Sequence, residues 1–134
     1  YAHHPTEIKA TLKALKTKYP KKQIVCVFQP HQAQRLKLLF DDFIDAFADA
    51  YLTVLLPVYQ VAGRDDKNLK KNSEALSKAI TARKSSGKVF YLNNPEKLPV
   101  FLKDFLATEK SLKTPPFIVM MGAGDIATYT DNLI

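Results

Sequence analysis

The chain has 134 residues, of which 46% are hydrophobic and 25% are charged, and its formal net charge is +7. This length and composition are typical of one globular domain with a substantial core. No apolar run approaches the roughly 20 residues needed to span a bilayer, and no charged-then-apolar leader with a cleavage site is present, so we expect a cytoplasmic location and no membrane partner.

The first two predicted elements are a helix and a buried strand. Pro5 suits the first turn of a helix, and apolar residues recur at helical spacing as far as Leu15, which predicts an amphipathic helix over residues 5–18. The apolar, β-branched run Ile24–Phe28 predicts a strand covered on both faces. This run contains the single cysteine, Cys26, so no internal disulfide can form and a buried, inert thiol is expected.

Helices and strands alternate along the rest of the chain. Since short connections join them, we expect one Rossmann-like α/β domain over residues 1–134, a three-layer arrangement with a mostly parallel sheet flanked by helices. Its remaining elements are predicted as a helix over 36–48, a strand over 51–56, a helix over 73–84, a strand over 89–92, a helix from Pro95, a strand over 117–121 and a last helix after residue 125.

Four loops follow the predicted strands. Ligands of open parallel sheets bind beyond the carboxyl ends of the strands. This rule selects Gln29–Arg35, Pro57–Arg64, Asn93–Asn94 and Gly122–Asp125 as candidate binding loops. His3 would join the same edge if it follows a strand that precedes this sequence.

The first of these loops carries His31 and Arg35 after Pro30. Arginine presents a planar fork that matches a carboxylate or phosphate in two-point contact. A surface arginine paired with Asp41 or Asp42 of its own helix is an equally good interpretation of the residues alone.

His3 and His4 are adjacent, so on a regular element their side chains point in different directions. A two-histidine metal site favours helical i, i+4 spacing, and with one cysteine no structural zinc site is predicted. We expect one histidine to face a ligand and the other to cap the helix or pack beneath it.

The turn Gly122-Ala123-Gly124 follows the last predicted strand. It could cradle an anion with backbone amides, but a tight turn that lets the backbone approach a substrate or another domain is the safer interpretation. The chain contains no GxxxxGK[ST] phosphate loop and no GxSxG elbow.

Six lysines crowd the first helix and its exit, at positions 9, 13, 16, 18, 21 and 22. Such a face can attract nucleic acid, anionic lipid or phosphorylated small molecules. Tyr19 is the one aromatic residue among these lysines, so a solvated helix face is the simpler interpretation.

Several of these segments together resemble the C-terminal domain of the Mur ligases, most closely of the members that add L-alanine. The segments are Tyr1-Ala2-His3-His4-Pro5-Thr6-Glu7, Phe28-Gln29-Pro30-His31 with Arg35 behind it, Leu39–Phe43 and the late Gly122–Gly124 turn. Three residues depart from the family pattern: Ala2 replaces a glycine, Gln32 replaces a common arginine and Ala33 replaces a tyrosine.

The resemblance implies an ATP-dependent amide-bond ligase of peptidoglycan synthesis, which joins L-alanine to UDP-N-acetylmuramate. Such ligases have three domains, and this one would bind the amino acid and close the site; ATP and Mg²⁺ would be held mainly by the central domain, and no cofactor or metal by this one. The isolated domain is expected to be inactive.

The resemblance also assigns residues to the site. Arg35 would hold the carboxylate of alanine, Tyr1, His3 and His31 would line its pocket, and Gly122, Ala123 and Gly124 would make backbone or closure contacts. Two alternatives stay open: a Mur ligase of the peptide-recycling type, and a stand-alone basic α/β binding module.

Overall fold

The computed structural model describes residues 2–59, 70–84, 87–122 and 126–130. Five α-helices and four strands run through these ranges, with 3₁₀ turns at Pro95–Lys97 and Ile126–Tyr129. The elements, in chain order, are α1 (Pro5–Lys18), β1 (Ile24–Gln29), α2 (Ala33–Leu38), α3 (Phe40–Ile44), β2 (Leu52–Leu55), α4 (Ser73–Arg83), β3 (Lys88–Tyr91), α5 (Leu98–Thr108) and β4 (Phe117–Gly122).

The four strands form one parallel sheet in the order β3-β2-β1-β4. From β1 the chain adds β2 and β3 on one side, and it then crosses to add β4 on the other. This reversal makes the carboxyl ends of β1 and β4 the topological switch point of the sheet, where ligands of open α/β folds bind. The predicted three-layer, Rossmann-like α/β fold is confirmed.

Side chains alternate between the two faces of β1 and bury a core on each. Cys26 and Phe28 pack with α1, α2, α3 and α4, whereas Val25 and Val27 pack with α5 and Ile126. Every residue of β1 and β2 is buried, which confirms that these strands are covered on both faces. Burial raises the pKa of the Cys26 thiol to about 12, so the predicted inert thiol is consistent with its surroundings.

The predicted single helix over residues 36–48 is wrong in its start and in its continuity. Helix α2 already begins at Ala33, and a break at Leu39 (φ −110°, ψ 22°) separates it from α3. Two aspartates in the first turn of α3 favour a new helix start, because carboxylates are stabilised at the positive end of the helix dipole. The break lets Phe43 and Phe47 contact the ring of Phe28.

The other predicted elements, apart from the last helix, are confirmed with shifts of a few residues. Helix α1 has the predicted bounds, and a 3₁₀ turn at Pro95–Lys97 leads into α5. In place of the last predicted helix, a short 3₁₀ turn is found at Ile126–Tyr129, and residues 131–134 lie outside the described ranges. Within the described part of the chain, no helix is both long and apolar enough to cross a membrane.

Candidate functional site at the carboxyl edge of the sheet

The switch point is built by Gln29 of β1 and Gly122 of β4, which are partners in the parallel ladder. Gly122 has φ +149°, and a Cβ on it would lie 2.7 Å from the carbonyl oxygen of Gln29. Only glycine allows the two backbones to approach this closely in this conformation. Of the predicted turn, Gly122 therefore has a structural reason to be glycine, whereas Ala123 and Gly124 lie outside the described residues.

Gln29 is a polar residue that the sequence did not single out by itself. It is 5% exposed, and its Oε1 has no hydrogen-bond donor among the described residues. A buried acceptor without a donor is costly, and such groups are usually satisfied by a water molecule, an ion or a neighbouring segment. The sequence feature that could have indicated a functional role for Gln29 is its position, since it is a polar residue that ends an apolar strand directly before Pro30.

His31 lies just beyond β1 and contacts the segment that follows β2. It forms an isolated parallel bridge with Tyr59, and the two rings stack with centroids 5.4 Å apart and planes at 18°. The backbone N–H of Tyr59 donates to the carbonyl oxygen of Pro30 at 2.7 Å. Tyr59 lies within the candidate loop Pro57–Arg64 that the sequence selected, and its contact with His31 places it beside the end of β1.

The turn between His31 and Arg35 is strained at Gln32, whose φ is +67° and ψ is 104°. A non-glycine residue in this region costs about 1–3 kcal/mol and is retained where the surroundings impose it. The Gln32 carbonyl oxygen accepts the N–H groups of Arg35 and Leu36 at 3.1 and 3.3 Å, which starts α2. This turn therefore sets the direction in which Arg35 leaves the sheet edge.

Arg35 is half-buried on α2, shortly after the end of β1. Among the described residues, no carboxylate lies within 4.0 Å of its guanidinium. The alternative pairing with Asp41 or Asp42 is not observed, since Asp41 instead lies 4.0 Å from Arg83. The Arg35 guanidinium therefore has no ion-pair partner among the described carboxylates.

The two N-terminal histidines have different surroundings. The Nδ1 of His4 accepts the backbone N–H of Thr6 at 3.2 Å and caps α1, as expected for one of the pair. His3 is half-buried and makes contacts of its own. Because the 14-residue α1 and the six-residue β1 both span about 20 Å and a short turn joins them, the first residues of α1 lie toward the carboxyl edge. That His3 converges with His31 and Arg35 remains a prediction, and Tyr1 lies outside the described residues.

A surface cleft lies between α1 and α3. It starts at His4 and Thr6 and continues between Lys9 and Lys13 on one side and Asp42 and Asp45 on the other, so it offers no single sign of charge. Residues 60–69, which include most of the second candidate loop and Arg64, lie outside the described ranges. Over the described residues, no cluster of three His, Cys, Asp or Glu side chains could hold a metal ion.

A parallel sheet with helices on both faces, which presents His31 and Arg35 beyond the end of β1 near its switch point, defines an α/β domain of Rossmann type. Comparison with known proteins assigns this domain more narrowly. The family model described as "Mur ligase, glutamate ligase domain" matches residues 1–124, and the chain belongs to this family.

The names of similar curated proteins support this family assignment. A UDP-N-acetylmuramate–L-alanine ligase of Fusobacterium nucleatum is 38% identical over 133 residues, which cover 99% of this chain and 25% of that protein. A UDP-N-acetylmuramate–L-alanine ligase of a Sulfurihydrogenibium species is 35% identical over 133 residues, covering 99% of this chain and 27% of that protein. The chain therefore spans about a quarter of the length of these relatives.

Solved structures share the fold. The UDP-N-acetylmuramate-alanine ligase of Thermotoga maritima superimposes with a TM-score of 0.69 at 20% identity, over 99% of this chain and 24% of that one. A murein peptide ligase of Psychrobacter arcticus gives a TM-score of 0.68 at 20% identity, over 99% of this chain and 25% of that one.

Proposed function

We propose that this chain is the C-terminal, amino-acid-binding domain of a three-domain ligase that joins L-alanine to UDP-N-acetylmuramate with ATP. The observation that carries the proposal is the half-buried Arg35 at the switch point, whose guanidinium has no carboxylate partner among the described residues. The names of the relatives supply the substrate class, because the matched proteins are UDP-N-acetylmuramate–L-alanine ligases.

The role of Arg35 in this proposal is to orient the amino acid. A two-point contact between its guanidinium and the alanine carboxylate fixes that end of the zwitterion and directs the amine away from it. His31 lies just before the start of α2, and its imidazole would line the same pocket. Its stacking on the Tyr59 ring would hold the imidazole in place.

ATP would activate the muramoyl carboxylate as an acyl phosphate. The alanine amine would then attack the acyl carbon, so that a C–N bond forms, the C–O bond to phosphate breaks and the nitrogen loses a proton. ATP and Mg²⁺ would be held mainly by the central domain, because this sequence has no GxxxxGK[ST] phosphate loop. This chain's contribution would be to bind the amino acid and, by closure, to exclude water from the acyl phosphate.

The test is steady-state kinetics of the full-length protein that contains this chain. We expect ADP release that depends on both L-alanine and UDP-N-acetylmuramate. Arg35→Ala should raise the KM for L-alanine by about 10- to 100-fold, the range that loss of a charge-assisted hydrogen bond predicts, while the KM for ATP stays within about twofold.

Lys37→Ala is the matched control, because it removes an exposed positive charge from the same helix. It should leave the KM for L-alanine unchanged. No alanine-dependent ADP release by the unmodified protein, or an unchanged KM in Arg35→Ala, would overturn the proposal.

A further inference from the structure

The ladder between β1 and β2 slips by one residue just beyond the two strands. Phe28 is the partner of Leu55, so an uninterrupted ladder would place Val58 opposite His31. Instead Tyr59 is the partner of His31, and the chain after β2 contains one extra residue. Such an insertion re-aims a side chain, because neighbouring residues of an extended segment point to opposite faces.

Pro30 contributes to the position of the slip, because it lacks the backbone N–H that a continued ladder with the segment after β2 would use. Pairing resumes one residue late, with the N–H of Tyr59 donating to the Pro30 carbonyl oxygen at 2.7 Å. This hydrogen bond anchors the backbone beside the His31–Tyr59 ring pair.

The ring pair has the geometry of an offset stack. Its centroids are 5.4 Å apart and its planes differ by 18°, inside the range that aromatic pairs prefer. Both residues are half-buried at the mouth of the edge that carries Arg35. A stacked partner restricts rotation of the imidazole about its side-chain bonds, and this matters because His31 lies between a strand end and the strained Gln32.

We propose that Tyr59 is a positioning residue for the amino-acid site: its ring fixes the orientation of the His31 imidazole toward the ligand bound by Arg35. This inference rests on the proposed function, and it adds a residue that belongs to none of the segments that resemble the Mur ligases. The aromatic face, not the phenolic hydroxyl, is the functional part, since stacking is the only side-chain contact between the two residues that the structure describes.

The test uses the full-length protein with Tyr59→Leu and Tyr59→Phe. Tyr59→Leu should raise the KM for L-alanine about 3- to 10-fold with little change in the KM for ATP, because the lost ring stack is a moderate interaction. Tyr59→Phe keeps the ring and should stay within about twofold of the unmodified protein. Tyr19→Leu removes a tyrosine ring at the opposite end of β1, against Phe117, and is the matched control.

A spectroscopic readout separates positioning from general stability. In protein with isotopically labelled histidine, the His31 ring protons, assigned with His31→Gln, should lose their ring-current shift in Tyr59→Leu and keep it in Tyr59→Phe. An unchanged His31 spectrum, or an unchanged KM for L-alanine in a folded Tyr59→Leu, overturns the inference. A KM that rises equally in Tyr59→Phe also overturns it, because the hydroxyl would then be the functional group.

The two proposals fail in different ways. If the unmodified protein releases no ADP in response to L-alanine, the proposed function is wrong whatever Tyr59 does. If the unmodified protein turns over, Arg35→Ala raises the KM for L-alanine and Tyr59→Leu does not, only the positioning role of Tyr59 is wrong.

Discussion

At the residue scale, the carboxyl edge of the sheet is most tightly constrained at Gly122. Its φ is +149°, and a Cβ added to it would lie 2.7 Å from the Gln29 carbonyl oxygen, which leaves no room for a side chain. The obstructing atom is backbone, so a larger residue can be accommodated only if β1 and β4 separate. That separation would occur where the candidate site lies.

We therefore expect Gly122→Ala to lower the free energy of unfolding by about 2 kcal/mol or more, as strain of this kind typically costs about 1–3 kcal/mol before any clash. Urea denaturation of the chain measures the change. Ala127→Ser alters an exposed side chain nearby and should shift the free energy by less than about 0.5 kcal/mol. Equal stability of the two variants would contradict the role assigned to Gly122.

The sequence predicts some residues of the site and not others, for a physical reason. His31 and Arg35 follow an apolar strand and carry an imidazole and a guanidinium. The parallel topology therefore predicts that both lie at the carboxyl edge of the sheet. The sequence selects the loop that contains Tyr59, but its contact with His31 depends on a one-residue slip between two separate segments, which neither segment shows by itself. The buried Oε1 of Gln29, which no described donor reaches, likewise depends on what packs around the strand end.

At the element scale, local signals predict the helices whose ends carry their own caps. Helix α1 begins at Pro5 after the His4 cap, and α4 begins after Asn72, whose side chain accepts the N–H of Ala75 at 2.9 Å. The break between α2 and α3 contains no proline or glycine, so no residue at that position predicts it from the sequence. It follows from tertiary packing of Phe43 and Phe47 on Phe28, which sequence periodicity does not contain.

One ionic contact joins strand β3 to the segment after α5. Lys88 forms a salt bridge with Glu109, and the Ser111 hydroxyl donates to the same carboxylate at 2.7 Å. The Lys88 and Ser111 hydrogen bonds together lower the pKa of Glu109 to about 2. The contact therefore ties the outer strand of the sheet to the end of the helix that covers it.

This shift predicts a dependence of stability on pH. Since the pKa of Glu109 is lower in the folded chain than its ordinary value of about 4.3, the contact contributes in full above that value and is lost as the pH falls toward about 2. Lys88→Met should therefore be less stable than the unmodified chain at about pH 5, and the difference should shrink between about pH 4.5 and 2. Thermal unfolding across this range measures it.

The control for this pH-dependence prediction is Lys78→Met. This variant removes an exposed ion pair on α4, in which the Lys78 Nζ lies 3.6 Å from the Glu74 Oε1. Its stability relative to the unmodified chain should change little over the same range, because exposed pairs of this kind contribute little. A Lys88→Met difference that stays constant down to about pH 2 would contradict the assigned pKa shift.

At the scale of the whole molecule, the fold class follows from the alternation of strands and helices, because largely apolar strands between helices are typical of a parallel sheet covered on both faces. The sequence does not show how the proposed ligase activity would be divided between this chain and other domains. An acyl phosphate needs a phosphate donor held beside a carboxylate, and this chain has an arginine fork but no phosphate loop.

We accordingly expect the 134-residue chain by itself neither to hydrolyse ATP nor to form the amide. Incubation with ATP, Mg²⁺, L-alanine and UDP-N-acetylmuramate should release no ADP above a protein-free blank. The Fusobacterium nucleatum relative, of which this chain matches 25%, is the positive control under the same conditions.

The outcome separates two ways in which this domain could act. If the chain only binds and closes, adding it to a relative that lacks its matching quarter should restore at most weak, concentration-dependent turnover, because the two parts must first associate. ADP release by the chain alone would instead require a nucleotide site within these 134 residues. The amino-acid-side role would then be incomplete, and the arginine fork at the switch point would have to be reassigned to a phosphate.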